Sequence, residues 1–486
     1  MADAPTRASW SGQLAFVMAA AASAIGLGNL WRFPYLAAQY GGGTFIVVYL
    51  ALVVTIGFAL MLTEIAIGRA TRQSQLTAFS RLHRGWGFVG VLGTVVSILI
   101  EPYYCVIGGW VLKYFIAYGR MALFGAAPMG ADAAGSKAFF DAFVSANFAP
   151  FGYAMVFVLA CAVVIAMGVK NGIEKSNVVL MPVLLLLALA LAGYVAFLPG
   201  SGAGIRYYLV PSLDALSGPD GGFSAAQLGR TILGAMGQMF YSGSLAMGIM
   251  ITYGSYMRRA DSIVQSVWRI EFFDTLIALV AGFMIVPIVY LFAVKTGTPV
   301  KEAMNAGPGL MFITLPKVFA TLGAAGAWIG VAFFALVLFA ALTSAISLYE
   351  ACVASVCDLL RLDRRAATFF TGALILFLAT FSALGYGAWG DIRLFRTGSF
   401  AGFAFLDFFD FLTNSVLMPV VAASTCVFIG WIATPKTVED EVEACGRAFR
   451  LKGLYRFLVR YFAPALVVLI FVQQVCAVCG LKGWAI

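Results

Sequence analysis

Two glycine-rich segments mark places where backbone groups become available for chemistry. Residues 23–29 read SAIGLGN, and residues 242–248 read SGSLAMG. Glycine destabilises a helix interior by about 1 kcal/mol relative to alanine, and neighbouring serines can bond backbone groups. Both segments therefore predict local unwinding. Unwound carbonyl oxygens can hold a small, hard cation such as sodium, and unwound amides can bind a carboxylate.

Three further residues place side-chain oxygens inside apolar stretches: Asp274, Thr343 and Ser344. A lone carboxylate in a membrane span costs about 2.5 kcal/mol or more, and a bound cation removes that cost. A protonated Asp274, or one paired with a neighbouring helix, is the alternative. Hydroxyl groups in apolar helices usually bond a carbonyl of their own helix, so Thr343 and Ser344 taken alone favour a structural role.

Long apolar stretches must position these residues. Of the 486 residues, 62% are hydrophobic and 11% are charged, which excludes a soluble globular protein and predicts helices in lipid. Hydropathy predicts about eleven spans. They lie near residues 13–37, 43–68, 88–120, 150–169, 174–198, 227–256, 263–294, 326–357, 367–385, 399–432 and 455–479.

Positive charge predicts the topology of these spans. Arginine and lysine recur in every second loop between the predicted spans. These loops lie on one side of the membrane, which is the cytoplasmic side by the positive-inside rule. These residues are Arg69, Arg72, Arg81, Arg84, Lys170, Lys175, Arg258, Arg259, Arg361, Arg364 and Arg365. The odd span count then puts the amino terminus inside and the tail after Cys479 outside. Topology accounts for the net charge of +9, so no nucleic-acid partner is expected.

Both glycine-rich breaks lie near the middle of their spans. Paired interrupted helices in two halves indicate an inverted-repeat transporter, although small residues that let helices approach closely are the alternative for either break alone. The predicted fold is an all-α polytopic membrane protein with five spans in each repeat. A single transmembrane domain covers residues 1–486, with a first repeat near 11–198, a second near 225–432 and an additional helix near 455–479.

Several motifs resemble one known family. The run GLGNLWRFP at 26–34, followed by GGGT at 41–44, closely resembles the first-span signature of the neurotransmitter/sodium symporter family. The likeness continues through EIAIGR at 64–69, YYCVIGGW at 103–110, GQMFYSGSLAMG at 237–248, DTLIALVAGFMIVP at 274–287 and FAALTS at 339–344. It implies a five-plus-five fold with broken helices 1 and 6, and sodium-coupled import by alternating access. The eleven-span length and the absence of an N-x-Ser/Thr sequon favour the cytoplasmic (inner) membrane of a prokaryote.

The resemblance implies two sodium sites. The ligands of site one would be the carbonyl of Ala24, the side chains of Asn29, Ser242 and Asp274, and the substrate carboxylate. The ligands of site two would be the carbonyls of Ala22, Ile25 and Ala340 and the hydroxyls of Thr343 and Ser344. Many relatives carry a neutral asparagine where Asp274 stands, and chloride-dependent relatives place a polar residue at the position of Ala278. We therefore predict transport that does not require chloride.

The resemblance also constrains the substrate. Relatives that carry monoamines have an aspartate where Gly26 stands, so this chain suits a substrate with its own carboxylate. The amides near Leu27 and Gly28 and the hydroxyl of Tyr104 would bind that carboxylate. The ammonium would meet carbonyls of Ala24, Tyr241, Ser242 and Ser244. The side-chain wall would comprise Ile100, Tyr241, Met247, Ser344 and Leu348, which predicts a neutral, hydrophobic or aromatic amino acid.

Two charged pairs are predicted to close the pocket. Arg32 and Asp410 would pair above it, with Tyr241 as a lid. Arg7 and Asp358 resemble the cytoplasmic gate of the family. The residues expected around that gate are Trp10, Ser255 and Tyr256. Glu64 and Gln238 are predicted to support the broken helices, with a purely structural role as the alternative.

Other functions remain open on the sequence alone. An amino-acid sensor with the same fold would share the binding residues, as would a sodium symporter of another small zwitterion. An intramembrane enzyme is disfavoured because the chain has one histidine, His83, and no paired nucleophile and base. Besides the substrate, sodium and the lipid bilayer, no obligatory protein partner is expected.

Overall fold

The computed structural model describes residues 7–125, 133–218, 221–304, 307–392 and 403–478. Within these ranges regular structure is helical, and extended pairing is limited to two isolated bridges, Gly42 with Pro211 and Ser217 with Phe223. The predicted all-α class is confirmed. The tail after Cys479, which the topology prediction placed outside, lies beyond the described residues.

Nine uninterrupted helices among the described residues are long and apolar enough to cross a bilayer. We number all spans in chain order. Span 2 is Gly43–Thr71, span 3 is Arg84–Phe124, span 4 is Ala149–Ala166, span 5 is Val169–Ala196, span 7 is Ile263–Thr296, span 8 is Ala325–Leu360, span 9 is Arg364–Leu384, span 10 is Phe405–Ile432 and span 11 is Lys452–Cys476. Shorter helices at the ends of the spans are Gln75–Leu82, Ala133–Val144, Gly202–Leu209, Leu310–Ala320 and Pro435–Glu443.

Spans 1 and 6 are the two interrupted ones. Span 1 consists of Gln13–Ala24 and Gly28–Gln39, which meet at an angle of 52°. Span 6 consists of Ala225–Ser242 and Ile249–Ser255, separated by an unwound segment. It does not stand out as a crossing helix by length and composition, because its inner piece is short and its outer piece carries polar residues such as Arg230 and Gln238. The prediction that helices 1 and 6 are broken is confirmed.

The backbone of the two breaks explains why the helices stop. Span 1 stops at Ala24 because Ile25 is extended, with φ −75° and ψ 91°. In span 6, Ser244 and Ala246 have φ angles of 51° and 60°, and Gly248 has a φ of 77°. Left-handed non-glycine residues cost on the order of 1–3 kcal/mol each, so surrounding structure must hold this segment in place.

Spans 1 and 6 form the centre of the bundle. The alanines of Gln13–Ala24 are almost completely buried, which lets neighbouring helices pack closely against span 1. By contrast, large apolar side chains on spans 4 and 5 face outward, for example Val163 at 61% exposure and Leu186 at 67%. This inside-out distribution suits a chain whose exterior contacts lipid.

Candidate functional site

A small cavity lies between the breaks of spans 1 and 6. Its lining comprises Ser23, Ala24, Gly26, Leu27, Gly28, Asn29, Ile100, Tyr104, Tyr241, Ser244, Met247, Ile249, Ser344 and Leu348. None of these side chains is charged, so the cavity suits a ligand with a neutral side chain.

Every residue predicted for the substrate pocket lines this cavity except Ser242. Its hydroxyl bonds to Asp274 on the neighbouring span. Two lining residues were not predicted, Ser23 and Ile249. Ser23 is the first residue of the predicted break at 23–29, and Ile249 directly follows the predicted break at 242–248, so their positions are the signal that could have identified them.

Gly26 and Gly28 are required by close packing at the cavity wall. A Cβ atom on Gly26 would lie 2.8 Å from Ser344 Oγ and 3.1 Å from Tyr104 Oη. A Cβ atom on Gly28 would lie 2.4 Å from Cδ1 of the Tyr241 ring. A side chain at either position would therefore displace residues that form the wall.

Leu27 and Tyr104 present two polar groups to the cavity. The Leu27 amide donates a hydrogen bond to Tyr104 Oη over 3.3 Å, and both residues are buried. An amide at the end of an unwound segment and a neighbouring hydroxyl can both donate to a carboxylate. This corner is where the carboxylate of an amino acid can be bound.

Asn29, Ser242 and Asp274 converge from spans 1, 6 and 7. Asn29 Nδ2 donates to Asp274 Oδ1 over 2.7 Å, and Ser242 Oγ donates to both Asp274 carboxylate oxygens over 2.7 and 2.8 Å. All three side chains are buried, and Asp274 forms no ion pair with any described residue. A buried carboxylate without a cationic partner, next to the Asn29 side-chain amide and the Ser242 hydroxyl, brings together the oxygen-bearing groups that bind sodium.

Of the residues predicted for the second sodium site, the structure brings Ile25 of span 1 and Ser344 of span 8 into contact. Ser344 Oγ donates to the carbonyls of Ser23 and Ile25 over 2.9 and 3.3 Å. Thr343 Oγ1 donates to the carbonyls of Phe339 and Ala340 in its own helix over 3.0 and 3.1 Å. Ala22 lies in the last turn of Gln13–Ala24. The Ser23 carbonyl was not among the predicted ligands.

The predicted outer pair, Arg32 with Asp410, does not form a direct ion pair. Arg32 Nη1 donates to the Gly237 carbonyl over 3.3 Å, and its guanidinium lies 5.6 Å from the centre of the Tyr241 ring. Asp410 Oδ1 instead accepts from Asn414 Nδ2 over 2.7 Å. The prediction of a direct pair is wrong for this structure because each charge has another partner, and an aromatic face attracts a guanidinium.

The predicted inner cluster is assembled. Arg7 Nη1 lies 2.8 and 2.9 Å from the two carboxylate oxygens of Asp358, and Arg7 Nε donates to Ser255 Oγ over 2.8 Å. The guanidinium also lies 5.2 Å from the centre of the Tyr256 ring. Asp358 Oδ2 accepts from the Ser74 amide over 2.7 Å, a contact that sequence patterns could not reveal because the donor is a backbone group.

Trp10 closes the same inner region with an aromatic ring. It is 1% exposed, and its Nε1 donates to the Tyr253 carbonyl over 3.0 Å. Tyr256 Oη donates to Glu350 Oε1 over 2.7 Å, and Arg364 Nη1 bonds the same oxygen over 3.0 Å. Glu350 was not predicted, although a glutamate within an apolar span is a signal that could have identified it.

Glu64 and Gln238 each bond one of the two breaks. Glu64 Oε1 accepts from the Ala246 amide over 2.7 Å. Gln238 Nε2 donates to the Gly28 carbonyl over 3.2 Å. The buried Glu64 contact holds one of the strained residues of span 6, so this side chain stabilises the unwound backbone.

Comparisons with known proteins agree with this geometry. A family model described as "Sodium:neurotransmitter symporter family" matches residues 7–123 and 149–483. The chain is 30% identical to an uncharacterized sodium-dependent transporter of Haemophilus influenzae, over 96% of this chain and 98% of that protein. It is 31% identical to the uncharacterized sodium-dependent transporter YhdH of Bacillus subtilis, over 96% of this chain and 97% of that protein.

A solved structure with a similar fold is that of MhsT in complex with L-phenylalanine. The two chains are 33% identical and superpose with a TM-score of 0.81, over 96% of this chain and 99% of MhsT. The match confirms the five-plus-five inverted-repeat fold. By its sequence over nearly the whole length and by its fold, the chain belongs to the sodium:neurotransmitter symporter family, whose members are multi-pass membrane transport proteins.

Proposed function

We propose that this protein is a symporter that couples sodium entry to the import of a neutral, hydrophobic or aromatic amino acid. One observation carries the proposal: buried Asp274, without a cationic partner among the described residues, lies beside an uncharged cavity between two unwound helices. A cation is needed to balance this carboxylate, and a zwitterion suits the free backbone groups. The sodium ion thus balances the charge of Asp274 and also binds the carboxylate of the substrate.

Two sodium ions bind in the proposed mechanism, and no chloride is required. Site one uses the Ala24 carbonyl, the side chains of Asn29, Ser242 and Asp274, and the substrate carboxylate. Site two uses oxygens of Ala22, Ile25, Ala340, Thr343 and Ser344. Because Asp274 already supplies the negative charge beside site one, a separate anion has no charge to balance there.

The wall of the cavity supports an amino acid with an apolar side chain. Ile100, Met247, Ile249 and Leu348 contribute apolar surface, and the flexible methionine can adapt to different side chains. The similar MhsT chain was solved in complex with L-phenylalanine. A monoamine is disfavoured because Gly26 provides no carboxylate and a side chain at Gly26 would collide with Ser344.

Transport proceeds by alternating access between the two repeats, near residues 11–198 and 225–432, with the helix near 455–479 outside the repeat. Arg7 and Asp358 form the cytoplasmic gate, and Arg32, Asp410 and Tyr241 form the outer one. The amino terminus is inside and the carboxyl terminus outside a prokaryotic cytoplasmic membrane. The similar sodium-dependent transporters of Haemophilus influenzae and Bacillus subtilis support a prokaryotic membrane.

Accumulation by the reconstituted full chain tests the proposal. Proteoliposomes with an inward sodium gradient should accumulate labelled L-phenylalanine above the external concentration. Dissipating the gradient with a sodium ionophore should release the accumulated substrate. Sodium-dependent binding without accumulation would instead identify an amino-acid sensor, and accumulation that is equal in potassium would overturn sodium coupling.

A further inference from the structure

A polar groove on the cytoplasmic side lies away from the central cavity. It is open to its surroundings and is lined by Gln73, Thr77, Ser80, Arg81 and Arg84. Thr77, Ser80 and Arg81 belong to the short helix Gln75–Leu82. Gln73 lies just before that helix, and Arg84 is the first residue of span 3. The groove therefore lies where the loop between spans 2 and 3 meets the membrane surface.

The groove presents two arginines without acidic neighbours in its lining. Arg81 and Arg84 are exposed, and neither forms a hydrogen bond or ion pair with the part of the chain that the structure describes. The other lining groups are an amide and two hydroxyls, of which Thr77 donates to Gln73 and Ser80 donates to a backbone carbonyl. Two free guanidinium groups beside uncharged polar groups form a site for a phosphate.

The side chains that continue from Arg84 along span 3 identify the surroundings of the groove as lipid. Phe88, Val91 and Val95 are 49%, 49% and 36% exposed. Their spacing of three and four residues puts these three side chains on one face of the α-helix that begins at Gly87, and Arg84 lies in the 3₁₀ turn directly before it. Trp86, which packs beside Phe88 and Phe428, is typical of a membrane interface. Arg84 thus lies at the level of the headgroups, at the end of a lipid-facing stripe.

The amino-terminal end of helix Gln75–Leu82 contacts the inner gate and span 6. The Ser74 amide donates to Asp358 in the inner gate. The buried Gln75 side chain lies between spans 3 and 6, since a Cβ on Gly248 would be 2.2 Å from Gln75 Oε1 and a Cβ on Gly93 would be 1.4 Å from Gln75 Nε2. Eight helical residues span about 12 Å, so the groove, the inner gate and the break of span 6 share one short rigid element.

We propose that this groove binds the phosphate headgroup of an anionic phospholipid in the cytoplasmic leaflet. The bound lipid holds helix Gln75–Leu82 in the position at which Ser74 and Gln75 contact the inner gate and span 6. Anionic lipid therefore favours the inward-closed state. The effect on the gate rests on the proposed transport function, whereas binding of the lipid does not.

Lipid binding to the full-length protein in nanodiscs tests the site. The probe is phosphatidylglycerol in a phosphatidylcholine background, compared with phosphatidylcholine alone. Each arginine near the surface contributes about fivefold to anionic-lipid binding, so the double variant R81Q/R84Q should bind phosphatidylglycerol about 30-fold more weakly. The matched control is R447Q/R450Q, which removes two exposed cytoplasmic arginines at the same spacing outside the groove and should keep the wild-type affinity.

The coupling is read by hydrogen exchange of residues 7–10 and 74–82. Phosphatidylglycerol should slow exchange of both segments in the wild type and in the control, but not in R81Q/R84Q. Sodium-dependent substrate binding by the same samples reports separately on folding and on the proposed function, and R81K/R84K should retain most of the lipid affinity.

Three results would overturn the proposal. Unchanged phosphatidylglycerol binding in R81Q/R84Q, or an equal loss in the control, would remove the assignment of the groove. Inorganic phosphate that displaces the lipid at similar concentration would show a site for a soluble anion instead. Lipid binding without any change in exchange of residues 74–82 would refute the link to the gate.

Discussion

The two ends of the central cavity are closed by different kinds of contact. At the inner end Arg7 pairs with Asp358, and further bonds join this pair to Ser255 and to the Ser74 amide. At the outer end Arg32 lies over the Tyr241 ring instead of pairing with Asp410. An interlocked ion pair resists opening more than one aromatic contact does. The difference indicates that the end at Arg7 and Asp358 is held more firmly than the end at Arg32 in this structure.

The largest expected effect comes from removing the buried carboxylate of Asp274. Asp274→Ala should abolish sodium-driven uptake, with a loss of at least about 100-fold, because the variant removes the carboxylate that needs the cation. Asp214→Ala, in an exposed loop, is the control and should transport normally. Uptake by Asp274→Ala with unchanged sodium dependence would show that the gates close around something other than a sodium site.

Breaking the ion pair between Arg7 and Asp358 tests directly whether this pair holds the inner end closed. Asp358→Asn should lower uptake about tenfold and speed hydrogen exchange of residues 7–10, since Arg7 loses its charged partner and the Asp358 side chain is only 14% exposed. Asp363→Asn is the matched control because asparagine also caps a helix. Normal uptake by Asp358→Asn would contradict the role of the ion pair in closing this end.

The proposed second sodium site uses residues of spans 1 and 8. Thr343→Ala should raise the sodium concentration for half-maximal uptake about three- to fivefold, because one ligand oxygen is lost while its helix remains intact. Thr368→Ala, which removes a hydroxyl with a similar bond in span 9, should leave that concentration unchanged. An unchanged sodium dependence in Thr343→Ala would leave its hydroxyl with a structural role only.

The outer end should tolerate loss of charge better. Arg32→Gln should weaken substrate binding about two- to threefold, because it removes a single hydrogen bond and one cation–π contact. The measurement is an equilibrium titration of substrate binding in sodium, with Asp358→Asn measured in parallel. A loss of substrate affinity in Arg32→Gln as large as the tenfold loss of uptake expected for Asp358→Asn would show that both ends depend on ion pairs. The contrast between the two ends would then be wrong.

The smallest expected effect is that of chloride. Replacing chloride by gluconate should leave uptake unchanged, because Asp274 supplies a fixed negative charge beside site one. Loss of uptake in gluconate would show that an anion contributes to the site, and restoration by added chloride would assign it.

Much of the site could be predicted from sequence because its physical causes are local. Glycines within an apolar span weaken the helix wherever they occur, and Asp274 is costly in lipid whatever its neighbours are. The motif around Asn29 and Ser242 adds residue-level resemblance. These signals place the breaks, the cavity and the candidate ion ligands without any knowledge of distances.

Other features depend on how the spans pack, which no local pattern reveals. Whether Arg32 reaches Asp410 or the Tyr241 ring is decided by distances between helices. The Ser74 amide at the inner gate is a backbone donor, present at nearly every position of a chain. Ala246 has a left-handed φ without being glycine, and only its bond to Glu64, far away in sequence, explains how it is held.

The central claim is that sodium and an amino acid bind side by side where two membrane helices unwind. Thermal unfolding of the purified chain, screened with each of the twenty amino acids in sodium and in potassium, tests it most directly, since a bound ligand raises the unfolding midpoint. We predict that hydrophobic and aromatic amino acids raise the midpoint in sodium and not in potassium. Stabilisation that is equal in both salts, or absent for every amino acid, would contradict the account.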